Sequence, residues 1–193
     1  MSHAYGNAEK RQQIIETAYG LFKRDGFHAT GIDRIIADAD VAKMTMYRHF
    51  PTKDALIAEV LRYRAARFER QLEELEIVAA TPNEKIAQIF NWYERWFKSH
   101  DFHGCVFQHA LAEFGDADNP IFKVVATQKN DLKDRMRRIL SASMSPTSAS
   151  SVATALLILL EGATLLAQMG QGETAIREAR DAAARLVSSA GAA

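Results

Sequence analysis

The side chains best suited to bind another molecule lie in residues 41–50, VAKMTMYRHF, a segment of helical length. At helical spacing Val41, Met46 and Phe50 fall on one side and are predicted to face inward. The other side combines positive charge, an aromatic hydroxyl and a flexible thioether, in Lys43, Met44, Tyr47 and Arg48. Such groups on an exposed helix can bind the phosphates and base edges of DNA. A helical hairpin without DNA function can carry the same residue types, so both interpretations stay open here.

A second segment of helical length precedes this one, and a turn of three to four residues separates them. That spacing is typical of a helix-turn-helix. Thr30 is predicted to cap the first segment through its hydroxyl. Ala39 and Asp40 form the turn, where aspartate tolerates a left-handed backbone better than most residues do. Ala42 has no hydroxyl, so the second segment is expected to start without a side-chain cap unless the Asp40 carboxylate supplies one.

The stretch ATGIDRIIADADVAKMTMYRHFPTKDAL resembles the N-terminal DNA-binding segment of the TetR family of transcriptional regulators, and the match covers about the first sixty residues. The family positions that this sequence keeps are Thr30, Ile36, Ala37, Ala39, Val41, Thr45, Tyr47, His49, Phe50, Lys53 and Leu56. Asp40, Ala42 and Met44 stand where the family usually has glycine, serine and a small residue. The resemblance implies base-edge contacts from Lys43, Met44 and Arg48. It implies phosphate contacts from Thr30, Thr45, Tyr47, His49 and Lys53.

Composition narrows the class of protein. The 193 residues, 48% of them hydrophobic, can bury a substantial core in one or two domains. Lysine plus arginine and aspartate plus glutamate are equal at 24 each, so any DNA binding must come from a local patch. The single cysteine, Cys105, excludes an intramolecular disulfide framework and fits a reducing cytoplasm. The N-terminal residues lack the apolar segment of a signal peptide, which agrees with that location.

Helical periodicity predicts an all-α chain of about nine helices. Helix 1 is expected over residues 8–25 and is expected to end at Gly26. Helix 4 is expected to run to about Val78. We predict a helix-turn-helix DNA-binding domain of three helices over residues 1–50. A helical effector-binding and dimerisation domain is predicted over residues 51–193.

Helix 5 is predicted to begin with a capping box formed by Thr81 and Glu84, and it is unusually aromatic. Rings that carry indole N–H and phenol O–H groups are used by small-molecule sites, although ordinary core packing gives the same pattern. The next stretch resembles the helix 6 region of many TetR-family members through Gly104, Cys105 and Phe107 and through the pair Glu113-Phe114. Together the two stretches give a predicted effector pocket of Trp92, Tyr93, Trp96, Cys105, Phe107, His109 and Phe114.

Metal binding and catalysis are not predicted. His100, His103, Cys105 and His109 carry groups that can bind zinc, but their spacing matches no standard zinc pattern. The sequence shows no phosphate-binding glycine loop, no nucleophile elbow and no metal-binding His-Glu helix pair. We therefore predict no cofactor, no metal and no enzymatic activity.

Helix 7 is predicted from Pro120 to about Ser141, and helix 8 over roughly 149–169, with a break at Gly170-Gln171-Gly172 before helix 9. Helix 8 is apolar nearly all round, but Glu161 lies within it, so a buried helix is expected rather than a membrane span. One domain of this size offers few partners for such a helix, so helices 8 and 9 of two chains are predicted to form a homodimer interface. The TetR resemblance implies the same arrangement, although a monomeric core would show the same periodicity.

These features predict a sequence-specific DNA-binding transcriptional regulator, a repressor that a small-molecule effector releases from a pseudo-palindromic operator. The alternative is a helical small-molecule-binding or scaffold protein whose hairpin has no DNA function. The zero net charge and the departures at Ala42 and Met44 favour the alternative. The joint presence of Tyr47, His49 and Lys53 argues against it.

Overall fold

The computed structural model describes residues 2–191, which form helices and, within that range, no strand. The helices are α1 (Ser2–Asp25), α2 (Ile32–Asp38), α3 (Lys43–His49), α4 (Lys53–Ile77), α5 (Pro82–Phe97), α6 (Val106–Glu113), α7 (Pro120–Leu140), α8 (Pro146–Leu166) and α9 (Gly172–Gly191). A π-helical turn (Ala167–Gln171) joins α8 to α9. The predicted all-α class is confirmed.

The chain divides into two compact units, each formed by two separate segments. The first, Met1–Arg67 with Cys105–Ala126, combines α1 to α3 and the first part of α4 with α6 and the start of α7. The second, Phe68–Gly104 with Thr127–Ala193, contains the end of α4, α5, most of α7, α8 and α9. We call them the head unit and the body unit. The predicted functional boundary after residue 50 stays a prediction.

Helix α1 supplies the central apolar stripe of the head unit. Its inward residues at helical spacing, each at most 3% exposed, are Ile14, Ile15, Ala18, Leu21 and Phe22. The helix begins at Ser2 rather than at residue 8, and it ends at Asp25 as predicted. Gly26 then takes a φ of 84°, a left-handed conformation that costs glycine little. Its N–H donates to the carbonyl of Phe22 at 3.0 Å, which closes the helix.

The body unit buries one continuous apolar cluster. It draws side chains from the end of α4 and from α5, α7, α8 and α9, including the fully buried Phe90, Leu132, Leu156, Leu160 and Ile176. Burying a side chain of this size stabilises the fold by roughly 1.5–3 kcal/mol relative to leaving it in water. Packing therefore holds these five elements together.

A buried arginine ties α7 to the last part of α4. Arg135 is 6% exposed, and its Nη2 lies 2.6 Å from Glu69 Oε2 and 3.6 Å from Glu73 Oε1. Its Nη1 pairs with Glu76. Three carboxylates on one side of α4 thus surround a single guanidinium, and the less exposed Glu69 and Glu76 lie closest to it.

Helix ends follow the capping signals, with two differences from prediction. The capping box of α5 is present, with Thr81 and Glu84 each bonding the other's backbone N–H. Helix α8 begins at Pro146, earlier than predicted, because Ser145 accepts a hydrogen bond from the N–H of Ser148 at 3.2 Å. Helices α8 and α9 are continuous through the π turn, in which Gly170 takes a φ of 80°. The predicted break at Gly170 is therefore a kink.

The C-terminal helices are apolar enough to span a membrane by length and composition alone. The most apolar window in Pro146–Gly191 has a mean hydropathy of 1.8, and 39% of it is buried inside the fold. Glu161, which would be costly in lipid, pairs with Lys129 Nζ at 2.7 Å. A core helix of a globular domain gives the same signal, so the stretch is weak evidence for a membrane.

Candidate nucleic-acid interface and effector-binding region

The predicted hairpin consists of α2 and α3. Asp40 in the turn has a φ of 46°, so it takes the left-handed conformation expected there. Its N–H donates to the carbonyl of Ala37 at 3.1 Å. Gln13 of α1 donates through Nε2 to the carbonyl of Ala39 at 2.8 Å, which fixes the turn against α1. The helix-turn-helix is therefore held from a third helix.

The predicted cap from Thr30 is wrong. The N-cap residue of α2 is Gly31, whereas Thr30 is fully buried and its hydroxyl donates to the carbonyl of Gly26 at 2.7 Å. Thr30 thus stabilises the turn between α1 and α2 from inside, and in this conformation it presents no surface to a phosphate. In the described part of the chain, α3 starts after Ala42 with no side-chain cap, as expected.

Helix α3 has a buried and an exposed side. Met46 and Phe50 lie in the core, while Val41 is half-buried. The exposed residues are Lys43, Met44, Tyr47 and Arg48, with Met44 82% exposed. The three predicted base-contact residues therefore share one open helix surface.

Both cations on that surface are oriented by neighbouring polar groups. Lys43 Nζ lies 3.4 Å from Asp33 Oδ1 of α2. Arg48 Nη2 donates to Asn7 Oδ1 of α1 at 3.2 Å. An exposed ion pair such as Lys43–Asp33 is worth at most about 1 kcal/mol, and the Arg48–Asn7 hydrogen bond is exposed as well, so a DNA duplex can replace both partners at small cost.

The remaining predicted phosphate contacts surround this surface. Tyr47 is exposed, and Thr45, His49 and Lys53 are half-buried. Burial lowers the pKa of His49, and the charges of Arg48 and Arg11 act in the same direction, which favours the neutral ring. Its Nε2 is buried without a hydrogen-bond partner among the described residues. Lys53 opens α4, and its Nζ donates to the carbonyl of His28 at 3.4 Å.

The structure also places Glu113, to which sequence analysis gave no role, against the turn between α1 and α2. Its Oε1 accepts from the N–H of Phe27 at 2.9 Å, and its Oε2 accepts from the N–H of His28 at 2.6 Å. Burial opposes ionisation, but these bonds and the one to the His28 ring outweigh it and hold the pKa of Glu113 below its usual range. The Glu113-Phe114 pair was the available sequence signal, but its partner lies 85 residues away.

The predicted effector residues fall into both units. In the body unit Trp92, Tyr93 and Trp96 of α5 are mutual neighbours, with ring centroids 5.2 to 5.7 Å apart. Tyr93 is buried and the two tryptophans are half-buried. The head unit holds the other four, Cys105, Phe107, His109 and Phe114. Phe114 stacks on the His28 ring with centroids 4.9 Å apart, so it packs against the turn between α1 and α2.

A cavity of about 310 Å³ lies elsewhere in the body unit, between α5 and α9. Its lining is mostly apolar, from Ile86, Phe90, Ala183 and Val187, and it also includes Arg180. The predicted effector residues are not among its described lining. Small residues of α9 gave no signal beyond helix packing, so sequence analysis missed this cavity.

The histidine and cysteine candidates do not assemble. Within residues 2–191 no group of three or more histidine, cysteine, aspartate or glutamate side chains is placed to hold a metal ion. Cys105 is buried as the N-cap residue of α6. His100 and His103 are exposed, and His103 Nδ1 lies 2.9 Å from the carbonyl of Asp101.

Two family models match this chain. Residues 14–60 match the model described as bacterial regulatory proteins, tetR family. Residues 82–183, more than half of the chain, match the tetracyclin repressor-like C-terminal domain. The fold is similar to that of a TetR-family transcriptional regulator from Streptomyces coelicolor, with a TM-score of 0.89 at 24% identity over 95% of this chain and 97% of that one.

Curated relatives match over shorter stretches. The uncharacterized HTH-type transcriptional regulator YuxN of Bacillus subtilis (strain 168) is 38% identical over 55 residues, which are 28% of this chain and 19% of YuxN. The HTH-type transcriptional repressor KstR of Mycobacterium tuberculosis is 27% identical over 78 residues, 40% of this chain and 36% of KstR. The chain thus spans well under half of the length of these two curated relatives.

Proposed function

Because this chain belongs to the TetR family of DNA-binding transcriptional regulators, we propose that it represses transcription as a homodimer that a small-molecule effector releases from its operator. The exposed side of α3 carries this proposal, since it presents Lys43, Met44, Tyr47 and Arg48 together. The likeness to a named repressor, KstR, favours repression over activation. Operator DNA lies in the cytoplasm of a bacterium, so we place the protein there.

The residues of α3 and its neighbours divide into two roles. Lys43 and Arg48 can donate to guanine, and the thioether of Met44 can contact a thymine methyl group, so these three are the proposed base contacts. Phosphate contacts position the protein without reading sequence. We assign these to Thr45, Tyr47, His49 and Lys53, all of which keep some exposed surface.

An exposed apolar stripe on α8 supports a dimer formed through α8 and α9. Ile158 and Leu165 are 66% and 55% exposed, and at helical spacing they lie on one side of α8. Met169, in the π turn that follows, is 63% exposed. Gly162 is exposed on the same side and would allow a second helix to approach closely. Contiguous apolar surface of this kind marks an interaction site. If a second copy of the chain covered this stripe, a twofold axis would relate the α3 helices of the two copies.

We place effector binding at the aromatic side of α5, where Trp92 and Trp96 are half-buried beside Tyr93. Their rings offer apolar surface and N–H donors to a small organic molecule. Such a molecule releases the operator only if it binds the DNA-free conformation more tightly than the DNA-bound one. The other predicted pocket residues, Cys105, Phe107, His109 and Phe114, belong to the head unit and are not part of this proposed site, and Phe114 stacks on His28.

The test is selection from a random duplex library with the purified chain. We expect a pseudo-palindromic motif whose half-sites are about one helical turn, or a multiple of it, apart. In the Lys43→Ala variant the preference at particular base pairs should relax, because a good base contact is worth roughly 1–3 kcal/mol of discrimination. Tyr47→Ala and Lys53→Ala should weaken binding to all sequences alike.

The matched control is Arg138→Ala, which removes an exposed cation from the body unit. It should bind DNA as the wild type does. Failure of the wild type to enrich any motif would refute sequence-specific binding. An altered motif with Lys53→Ala would contradict the assignment of that residue to a phosphate.

A further inference from the structure

The turn between α1 and α2, residues 26–31, has its backbone polar groups bound from three directions. The hydroxyl of Thr30 donates to the carbonyl of Gly26 at 2.7 Å from within the turn. Glu113 of α6 accepts from the N–H groups of Phe27 and His28. Lys53 of α4 donates to the carbonyl of His28 at 3.4 Å. The turn is therefore a junction between α6 and the start of α4.

Both carboxylate oxygens of Glu113 accept hydrogen bonds from this turn, although the side chain is partly exposed. Each oxygen accepts one backbone N–H, and Oε2 also lies 2.5 Å from Nδ1 of His28. A Cβ at Gly26 would lie 3.3 Å from Oε1, so the carboxylate fits closely against the glycine. The neighbouring Phe114 stacks on the His28 ring with an interplanar angle of 22°. Hydrogen bonds to a charged acceptor are stronger than neutral ones, so this contact resists displacement.

His28 connects this contact to Lys53. Its N–H and ring are held by Glu113, and its carbonyl holds the ammonium group of Lys53. An ammonium has three N–H donors, so a bond to one carbonyl leaves capacity for a phosphate oxygen. A lysine held at one place loses less side-chain freedom on binding than one that moves freely. The carbonyl of His28 thus occupies one N–H donor of Lys53, and a displacement of His28 would move that acceptor.

We propose that Glu113 is a positioning residue for DNA binding, which holds the turn between α1 and α2 so that Lys53 is fixed where it meets an operator phosphate. This inference rests on the proposed function, because it takes Lys53 as a phosphate contact. Glu113 itself does not touch the phosphate, since two negative charges repel. It acts through two backbone N–H groups and His28.

The test measures operator affinity against salt concentration for the wild type and for Glu113→Ala, Lys53→Ala and the double variant. Each phosphate contact contributes about 0.9 to the slope of log affinity against log salt on duplex DNA. Glu113→Ala should weaken binding and make the slope shallower by up to about this amount. Adding Lys53→Ala to Glu113→Ala should then cost less affinity than Lys53→Ala costs in the wild type. A general loss of folded protein would lower the active fraction without changing the slope.

Asp116→Ala is the matched control, because it removes the same charge three residues further on. The Asp116 carboxylate bonds the N–H of Asp118 at 3.0 Å, within its own loop. This variant should keep the wild-type slope, which separates positioning from a simple reduction of negative charge. If Glu113→Ala does not fold by circular dichroism, Glu113→Gln takes its place. Its single amide oxygen can accept only part of the backbone bonds. The slope of log affinity against log salt should therefore become shallower, but by less than in Glu113→Ala.

An unchanged slope in the variant that folds, with the full Lys53→Ala effect still present in that background, would overturn the inference while operator binding stands. A wild type that binds no duplex in the library would instead refute the proposed function, and the inference with it. The two failures are therefore distinguishable in one set of titrations.

Discussion

Asp40 shows how a single residue in the hairpin depends on its neighbours. Its φ of 46° is a conformation that glycine adopts at less cost, although aspartate tolerates it better than most residues. Its N–H is bound by Ala37, and Gln13 holds the adjacent carbonyl of Ala39. The surrounding bonds therefore impose the conformation, and the departure from glycine leaves the hairpin intact.

Glu59 gives a prediction at the residue scale for the pH dependence of stability. Its carboxylate lies 2.8 Å from Arg11 Nη2 and 3.4 Å from Arg62 Nη1. The hydrogen bond from Arg11 holds the pKa of Glu59 below its usual range, although burial opposes it. A group with a depressed folded-state pKa contributes stability above its unfolded pKa, and this contribution is lost as pH falls through the folded value. Glu59→Gln should therefore lower the free energy of unfolding at pH 7.

The difference between Glu59→Gln and the wild type should shrink as the pH falls below the ordinary glutamate value of 4.5. Urea unfolding at a series of pH values measures it. Glu74→Gln, at an exposed position on the same helix, serves as the control and should stay close to the wild type at pH 7. An equal difference at pH 7 and at a pH well below 4.5 would contradict the assignment to this ion pair.

At the scale of elements, sequence predicts those features of a helix, such as its ends and its buried side, that residues close together in the chain determine. The end of α1 at Gly26, the capping box of α5 and the inward stripe of α1 all follow from residues within one or two helical turns. The Thr30 cap was predicted wrongly because a buried hydroxyl found a carbonyl on the preceding turn instead. Glu113 was missed because its partners are far away in the chain. Local signals thus place helices, whereas long-range bonds join them.

Arg135 gives a prediction for the junction of α7 with α4. Arg135→Met should destabilise the protein by roughly 2–3 kcal/mol, less than a fully buried pair would lose because Glu69 and Glu76 stay partly exposed. The loss arises because three carboxylates on α4 lose their shared cation. Denaturant unfolding measures it. Combining the change with Glu69→Gln and Glu76→Gln should recover part of the stability, since fewer uncompensated charges remain.

Arg138→Met is the control for this series, since it removes an exposed arginine from the same helix. Surface substitutions of this kind usually change stability by less than about 0.5 kcal/mol. If Arg135→Met cost no more than Arg138→Met, the cluster around Arg135 would not contribute to the stability of α4 and α7.

At the scale of the whole molecule, the all-α class was predictable because helical periodicity repeats along the sequence, and the helix-turn-helix was predictable from its short turn and its family resemblance. The division into units was not, since nothing local in Cys105–Ala126 indicates that it packs with the N-terminal helices. The cavity between α5 and α9 was equally hidden, because small residues such as Ala183 fit a packed helix and a cavity wall alike. Assembly into units depends on shape that periodicity does not encode.

The apolar stripe of α8 gives the prediction for assembly. Leu165→Glu should convert the protein from a dimer to a monomer of 21.5 kDa, because a charge would be buried in the interface we propose. Light scattering after size-exclusion chromatography measures the mass, and operator affinity should fall with it. Ile77→Glu makes the same change at an 84% exposed residue on α4 and should leave the dimer intact. A Leu165→Glu variant that remains dimeric would exclude this face.

The head unit is formed by two stretches that are distant in the chain, and this affects how regulators of this kind can be recombined. A chimera that transferred only the first 67 residues to another effector domain would leave the amides of Phe27 and His28 without their acceptor. A working graft would have to carry α6 as well, or recruit an equivalent acid from the host. The exchangeable part of this protein is therefore the set of segments joined by these hydrogen bonds, and not one continuous N-terminal stretch of the chain.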